Sequence, residues 1–209
     1  MSPLTFTVHI VDDDCGVLRA MARLLRTAGY DCRTFASPLQ FLDEYDPSGP
    51  GCIVLDVAMG ELDGLRLQAA LRDRGVEQSV IFVTGKGDIP MSVQAMRAGA
   101  IDFLTKPVDG EALLAAIERA RNDDTERREL HDERVSIEAN LAKLTPRERE
   151  VLTHVIAGRL NKQIASDLGT VEKTIKVHRG RMMSKMGVHS VAELVRVAER
   201  VGIAPHEKQ

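Results

Sequence analysis

The chain has no tryptophan, 3% aromatic residues and three cysteines in 209 residues. Any core must therefore be aliphatic, and 44% hydrophobic residues suffice to build one. Cys15, Cys32 and Cys52 are odd in number and lack paired spacing, which argues against a disulfide framework or zinc site and fits a reducing compartment. No apolar run approaches the roughly 20 residues of a membrane helix. The opening MSPLTFTVHI lacks a basic segment followed by a long apolar one, so no secretion signal or membrane partner is expected, and a cytoplasmic location is. The pattern GxxxxGK[ST] is missing, which excludes a P-loop nucleotide hydrolase.

The charge that is present is unevenly spread. Residues 1–122 carry 12 Lys/Arg against 17 Asp/Glu, residues 123–143 carry 4 against 7, and residues 144–209 carry 12 against 7. A basic end on an acidic body suggests that the C-terminal part meets a polyanion.

The first 120 residues alternate short apolar runs with amphipathic stretches. Strands are expected at Thr7–Val11, Cys32–Phe35, Cys52–Leu55, Val80–Val83 and Ile101–Leu104. Helices are expected at Val17–Ala28, Pro38–Tyr45, Leu65–Leu71, Met91–Ala98 and Glu111–Arg121. Five strands, each followed by a helix, make an α/β doubly wound parallel sheet covered on both faces. The next stretch, residues 123–143, lacks Pro and Gly and is dense in charge. Its composition favours a helical extension of the preceding helix over a flexible linker.

From Leu144 onward only helices are expected. Thr145, Pro146 and Glu148 make a capping box at a helix that ends near Gly158. Asn161 is expected to cap Lys162–Leu168, closed by Gly169. A third helix covers Val171–Met186, with Thr170 as a possible alternative cap, and Ser190 caps a fourth over Val191–Val201. Two short helices joined by a tight glycine turn make a helix-turn-helix within an all-α four-helix domain, residues 144–209.

The chemistry gathers at strand ends. Asp12, Asp13 and Asp14 follow the first strand, Asp56 follows the third, Thr84 ends the fourth and Lys106 follows the fifth. In a sheet ordered 2-1-3-4-5, the carboxyl ends of strands 1 and 3 meet at the switch point where ligands bind. Carboxylates crowded there repel unless a cation joins them, and Mg²⁺ suits such hard oxygen ligands. A hydroxyl and an ammonium alongside make a place for a dianion, and an aspartate can be the nucleophile that forms an acyl phosphate. Taken singly, Asp14 is a helix cap or loop residue and Cys15 a bystander.

The set VDDD, Asp56 and VTGKGDIPMSVQAMRAGAIDFLTKP resembles the receiver domain of two-component response regulators, over about residues 5–122 of a domain placed at 1–122. The resemblance implies a flavodoxin-like fold and a phosphoryl group accepted by Asp56 from a sensor histidine kinase. It also implies Mg²⁺ held by Asp12, Asp13, Asp56 and the backbone carbonyl of Ala58. Thr84 and Lys106 would bind the phosphoryl oxygens, Phe103 would switch rotamer on activation, and the Lys106–Pro107 bond would be cis. Gly60 stands where relatives often have Pro, and Lys86 stands where the family tunes dephosphorylation.

The segment LTPREREVLTHVIAGRLNKQIASDLGTVEKTIKVHRGRMMSKMGVHSVAELVRVA resembles the LuxR-type helix-turn-helix and, with the receiver, places the chain in the NarL/FixJ class. Its second helix is expected in the major groove. It exposes Lys173, Thr174, Lys176, Val177, Arg179 and Gly180, and the resemblance makes Lys176 and Val177 base contacts. Lys162, Lys173, Arg179 and Arg181 are assigned to phosphates. Met182, Met183 and Met186 are read as core, and His178 as packing rather than a metal ligand.

A phospho-aspartate hydrolase would need a cap that residues 60–80 leave no room for, so no enzymatic activity is expected. An adaptor that binds protein through its C-terminal helices is disfavoured by their basic charge. The expected partners are DNA, the kinase, a second copy when phosphorylated, and RNA polymerase if the output activates transcription.

Overall fold

The computed structural model describes residues 5–60, 62–85 and 89–206, with backbone only for residues 89–91; Lys86 lies outside the described residues. The chain divides into two compact units, Met1–Arg128 and Glu129–Gln209. In the first, strands β1 (Thr7–Val11), β2 (Asp31–Phe35), β3 (Gly51–Asp56), β4 (Ser79–Thr84) and β5 (Asp102–Thr105) alternate with helices α1 (Cys15–Thr27), α2 (Pro38–Glu44), α3 (Gly64–Asp73), α4 (Ile89–Arg97) and the start of α5 (Gly110–Ala142), whose last residues belong to the second unit. All neighbouring strands pair in parallel, in the order β2-β1-β3-β4-β5, the flavodoxin-like arrangement.

The strand positions follow from burial. Every residue of β3 and β4 is buried, as expected for near-continuous apolar runs at the centre of a parallel sheet. The edge strand β2 exposes Asp31, Arg33 and Thr34 instead. Alternation along β3 sends Cys52 and Val54 into the layer of Leu18, Leu25, Leu113 and Ile117, and sends Ile53 and Leu55 into the layer of Phe41, Leu67 and Leu71. Fully buried Leu25, Leu67 and Ile117 each contribute roughly 1.5–3 kcal/mol of hydrophobic stabilisation. Within the sheet, His9 stacks 6.3 Å from Phe35 and lies edge-on 5.0 Å from Tyr45.

Helix α1 starts two residues earlier than its apolar spacing suggests, because the Asp14 carboxylate accepts the Gly16 and Val17 N–H groups at 2.6 and 3.3 Å. Helix α5 buries Leu113, Ala116, Ile117 and Ala120 in its first turns. It then continues through charged residues laced by the pairs Arg127–Asp123, Arg128–Asp124 and Arg134–Glu138, and it is helical to Ala142. Asp124, 2% exposed, is held by Arg127 and Arg128, so its buried charge is neutralised.

The second unit holds α6 (Pro146–Ile156), α7 (Asn161–Asp167), α8 (Glu172–Met186) and α9 (Val191–Arg200) around Leu152, Ile164, Ile175, Met182 and Leu194. The Thr145 capping box forms, with Thr145 Oγ1 accepting from Glu148 N and Glu148 Oε2 accepting from Thr145 N. Lys185, at the end of α8, donates to the same glutamate at 2.6 Å. This ion pair, followed by the bond from Thr145, holds the Glu148 carboxyl down at about 2. Gly169 (φ 61°) makes the turn between α7 and α8.

Two caps differ from expectation. Leu160, not Asn161, precedes α7, and its N–H is accepted by Gln163 Oε1 at 2.8 Å; the Asn161 amide is taken up by Arg179. Helix α8 starts at Glu172 after Val171, which supplies no side-chain cap, and the Thr170 N–H bonds back to Ala165 O in the preceding turn.

Candidate functional site

Four strand ends converge on one rim. Asp12 follows β1 and Asp56 ends β3, and these strands are direct neighbours, with Val11 opposite Leu55. Thr84 ends β4 at 1% exposure, and its carbonyl accepts the Lys106 N–H at 2.7 Å, which anchors the chain as it leaves β5. The Lys106 ammonium lies 2.7 Å from Asp12 Oδ2 and 3.1 Å from Asp56 Oδ2. Backbone donors hold the other oxygens: Asp14 N–H to Asp12 Oδ1 at 2.9 Å, and Ala58 N–H to Asp56 Oδ1 at 3.3 Å. Gly64, the first residue of α3, is required beside this site, since a Cβ there would sit 2.3 Å from the Asp56 carbonyl oxygen.

Burial raises the Asp12 carboxyl above the ordinary range; the contact with Lys106 opposes this without cancelling it. For Lys106, burial acts downward, but its bonds to Asp12 and Asp56 and their charges outweigh it, so the ammonium is held above its usual value. The pocket contains one ammonium and three carboxylates. Among the described residues, ligand oxygens of Asp12, Asp13 and Asp56 lie within 4.8 Å of one another, with Asp13 exposed to solvent. Asp12 Oδ2 is enclosed, and the Lys106 ammonium at 2.7 Å is its partner among the described residues. A donor set of this chemistry, with a lone pair to spare, fits a hard divalent cation.

The remaining receiver expectations fall close by. The Lys106–Pro107 peptide is cis. Ala58 is exposed in the loop after β3. Phe103 is half-buried, with its ring 6.5 Å from Phe82 on the adjacent strand. Asp14 caps α1 and belongs to the helix.

The second cluster is built differently. On α7 and α8, Lys162, Lys173, Lys176, Arg181 and Gly180 are exposed, Val177 is 46% exposed, and Thr174 is half-buried. Ile175, Met182 and Met186 occupy the buried face. Elsewhere in this unit basic side chains meet carboxylates: Arg147 with Glu150, Arg159 with Asp167, Lys185 with Glu148 and Arg200 with Glu133. On the α8 face, Lys173, Lys176 and Arg181 form no ion pair among the described residues, so positive charge concentrates there. Sequence reasoning missed that Arg179 donates to Asn161 Oδ1 at 3.0 Å. The two residues lie 18 positions apart, and no local pattern marks the pair. His178 is half-buried, without a metal partner among the described residues.

Family models match both halves: the response regulator receiver domain over residues 8–118, and bacterial regulatory proteins of the luxR family over residues 142–198. The chain is a response regulator. It belongs to the NarL/FixJ class of transcription regulators, with a receiver domain and a LuxR-type DNA-binding domain. This response regulator is 42% identical over 201 residues to the response regulator protein TodT of Pseudomonas putida, covering 96% of this chain and 88% of that one. It is 41% identical over 203 residues to the transcriptional regulatory protein FixJ of Azorhizobium caulinodans, covering 97% and 96%. Among solved structures it resembles the response regulator StyR, with 43% identity, a TM-score of 0.85 and coverage of 94% and 99%. No helix of the described residues is long and apolar enough to cross a membrane.

Proposed function

We propose that Asp56 accepts a phosphoryl group from a partner histidine kinase, and that this controls dimerisation and sequence-specific DNA binding. In this reading residues 1–122 are the receiver, 123–143 a helical connection and 144–209 the DNA-binding domain. The observation that carries it is the approach of Lys106 Nζ to both Asp56 and Asp12, beside an acidic set that fits a cation. A carboxylate oxygen of Asp56 attacks phosphorus, the P–N bond to the donor imidazole breaks, and its electron pair returns to the imidazole nitrogen. Lys106 lies where it can neutralise the incoming phosphoryl oxygens, and Thr84 stands on the same rim to donate its hydroxyl. Asp12, Asp13, Asp56 and the Ala58 carbonyl would hold Mg²⁺, which when bound supplies charge that offsets both carboxylates and phosphate.

Transfer of the phosphoryl group draws Thr84 and Phe103 toward the pocket and reshapes the α4–β5 face. That face already presents Val93 and Met96 on α4, exposed by 43% and 48%, and Asp102 of β5 pairs with Arg119. A second copy pairs there, so two basic helices engage two half-sites. Lys176 and Val177 read bases; Lys162, Lys173, Thr174, Arg179 and Arg181 hold the backbone. An activating output would in addition engage RNA polymerase. Treatment with acetyl phosphate and Mg²⁺, followed by intact mass and sizing, tests the core of this. One added phosphoryl group and a shift to dimer are expected, and both should vanish in Asp56→Ala. Uptake that persists in that variant would overturn the assignment.

A further inference from the structure

We infer that Asn161 is a positioning residue for DNA binding: its side-chain oxygen fixes the Arg179 guanidinium on α8 so that its remaining donors meet a phosphodiester oxygen. This rests on the reading of α8 as the DNA-facing helix.

Arg179 is half-buried on α8, and Asn161 is half-buried at the first position of α7. Their 3.0 Å bond joins the two helices of the helix-turn-helix. Arg147, Arg159 and Arg200 meet carboxylates, which cancel their charge. Arg179 meets a neutral amide oxygen, which occupies one donor and leaves the full positive charge. A guanidinium carries five donors in a rigid fork, so one bond to a fixed acceptor orients the rest.

Its neighbours provide the contrast. Lys173, Lys176 and Arg181 are exposed, with no tether among the described residues, so each gives up rotamer freedom when it engages DNA. Arg179 has lost much of that freedom in the folded chain. Asn161 also does not cap α7: it is the first residue of the helix, after Leu160, whose N–H is accepted by Gln163 Oε1. Its amide is left to serve the recognition helix. The outcome is one pre-oriented contact among several flexible ones, which sets how α8 lies against the backbone.

The test is a double-mutant cycle in the full-length chain, read by fluorescence anisotropy on a random-sequence duplex between about 50 and 200 mM salt. Arg179→Ala should weaken binding and reduce the slope of log affinity against log salt by about one. Asn161→Ala should weaken binding about fivefold, the equivalent of one net hydrogen bond, while the slope stays near that of the parent because the charge remains. In the Arg179→Ala background, Asn161→Ala should then have no further effect. Asn161→Asp should reproduce the reduced slope of Arg179→Ala, because a carboxylate pairs with the guanidinium and cancels it. Thermal melts of each variant separate a folding defect from a positioning one.

Equal losses from Asn161→Ala with and without Arg179 would make Asn161 merely structural and overturn the inference, as would no loss at all. An unchanged salt slope in Arg179→Ala would overturn it differently, by removing Arg179 from the DNA contacts while leaving the other basic residues of α8 in place.

Discussion

The acidic pocket and the basic helix face are both charged, yet they are made in opposite ways. Asp12, Asp56, Thr84 and Lys106 come from four strand ends, and most of their surface is buried; the pocket exists only when the sheet is assembled. Lys173, Lys176 and Arg181 come from three turns of one helix, stay exposed, and form no ion pair among the described residues, although Glu172 opens the same helix. Buried charge has to be neutralised from within. Exposed charge can be left unneutralised, and screening by salt sets its strength.

The largest effect should come from breaking the internal neutralisation. Lys106→Ala leaves Asp12 and Asp56 facing each other in a buried site, and should lower stability by about 3 kcal/mol in the absence of divalent cations, measured by urea unfolding. Added Mg²⁺ should restore more stability in this variant than in the parent. If Lys106→Ala unfolds at the parent's midpoint, the pocket is no more dependent on internal pairing than α8 is.

Acid provides a second lever on the buried side. Burial, above all, lowers the His9 imidazole to about 4 within its aromatic cluster, and a bond involving Cys52 opposes this only in part. A depressed histidine stabilises the fold in its neutral form. Its contribution is complete above about 6.5 and is lost as pH falls from there toward 4, reaching roughly 3 kcal/mol at the low end. Hydrogen exchange across that range should show protection in β1 and β3 falling, and His9→Phe should flatten the dependence. An unchanged profile in His9→Phe would assign the acid sensitivity elsewhere.

The smallest effect concerns the exposed side. A Cβ at Gly180 would meet nothing within 4 Å, so this glycine costs helix stability without serving close packing. Gly180→Ala should raise the melting temperature by the equivalent of up to about 1 kcal/mol and leave DNA affinity unchanged. A destabilised variant would show that the α8 face is less independent of its surroundings than the comparison holds.

Most of the fold was legible because burial and periodicity coincide. The runs around Ile53–Leu55 and Val80–Val83 could only be central strands, and the Thr145–Glu148 box and Ser190 cap are local patterns the structure reproduces. The pocket was legible because each member ends a strand, although the cis bond at Pro107 came from family likeness alone. What escaped was decided by distant partners. Asn161 has the composition of a cap, yet it is the first residue of α7, and Arg179, 18 residues on, donates to its amide oxygen. Val171 precedes α8 without a side-chain cap, where the sequence offered Thr170, whose N–H bonds back to Ala165 O.

Glu148 carries a consequence for how the second unit comes apart. One carboxylate closes the first turn of α6 and receives Lys185 from the last turn of α8. The two helix ends are coupled: if α6 frays, Lys185 loses its partner, and if α8 frays, the capping carboxylate loses its ion pair. Two termini that would otherwise melt separately are thereby joined into one cooperative step. The last turn of α8 is expected to open together with the first turn of α6 at any pH above the range in which Glu148 takes up a proton.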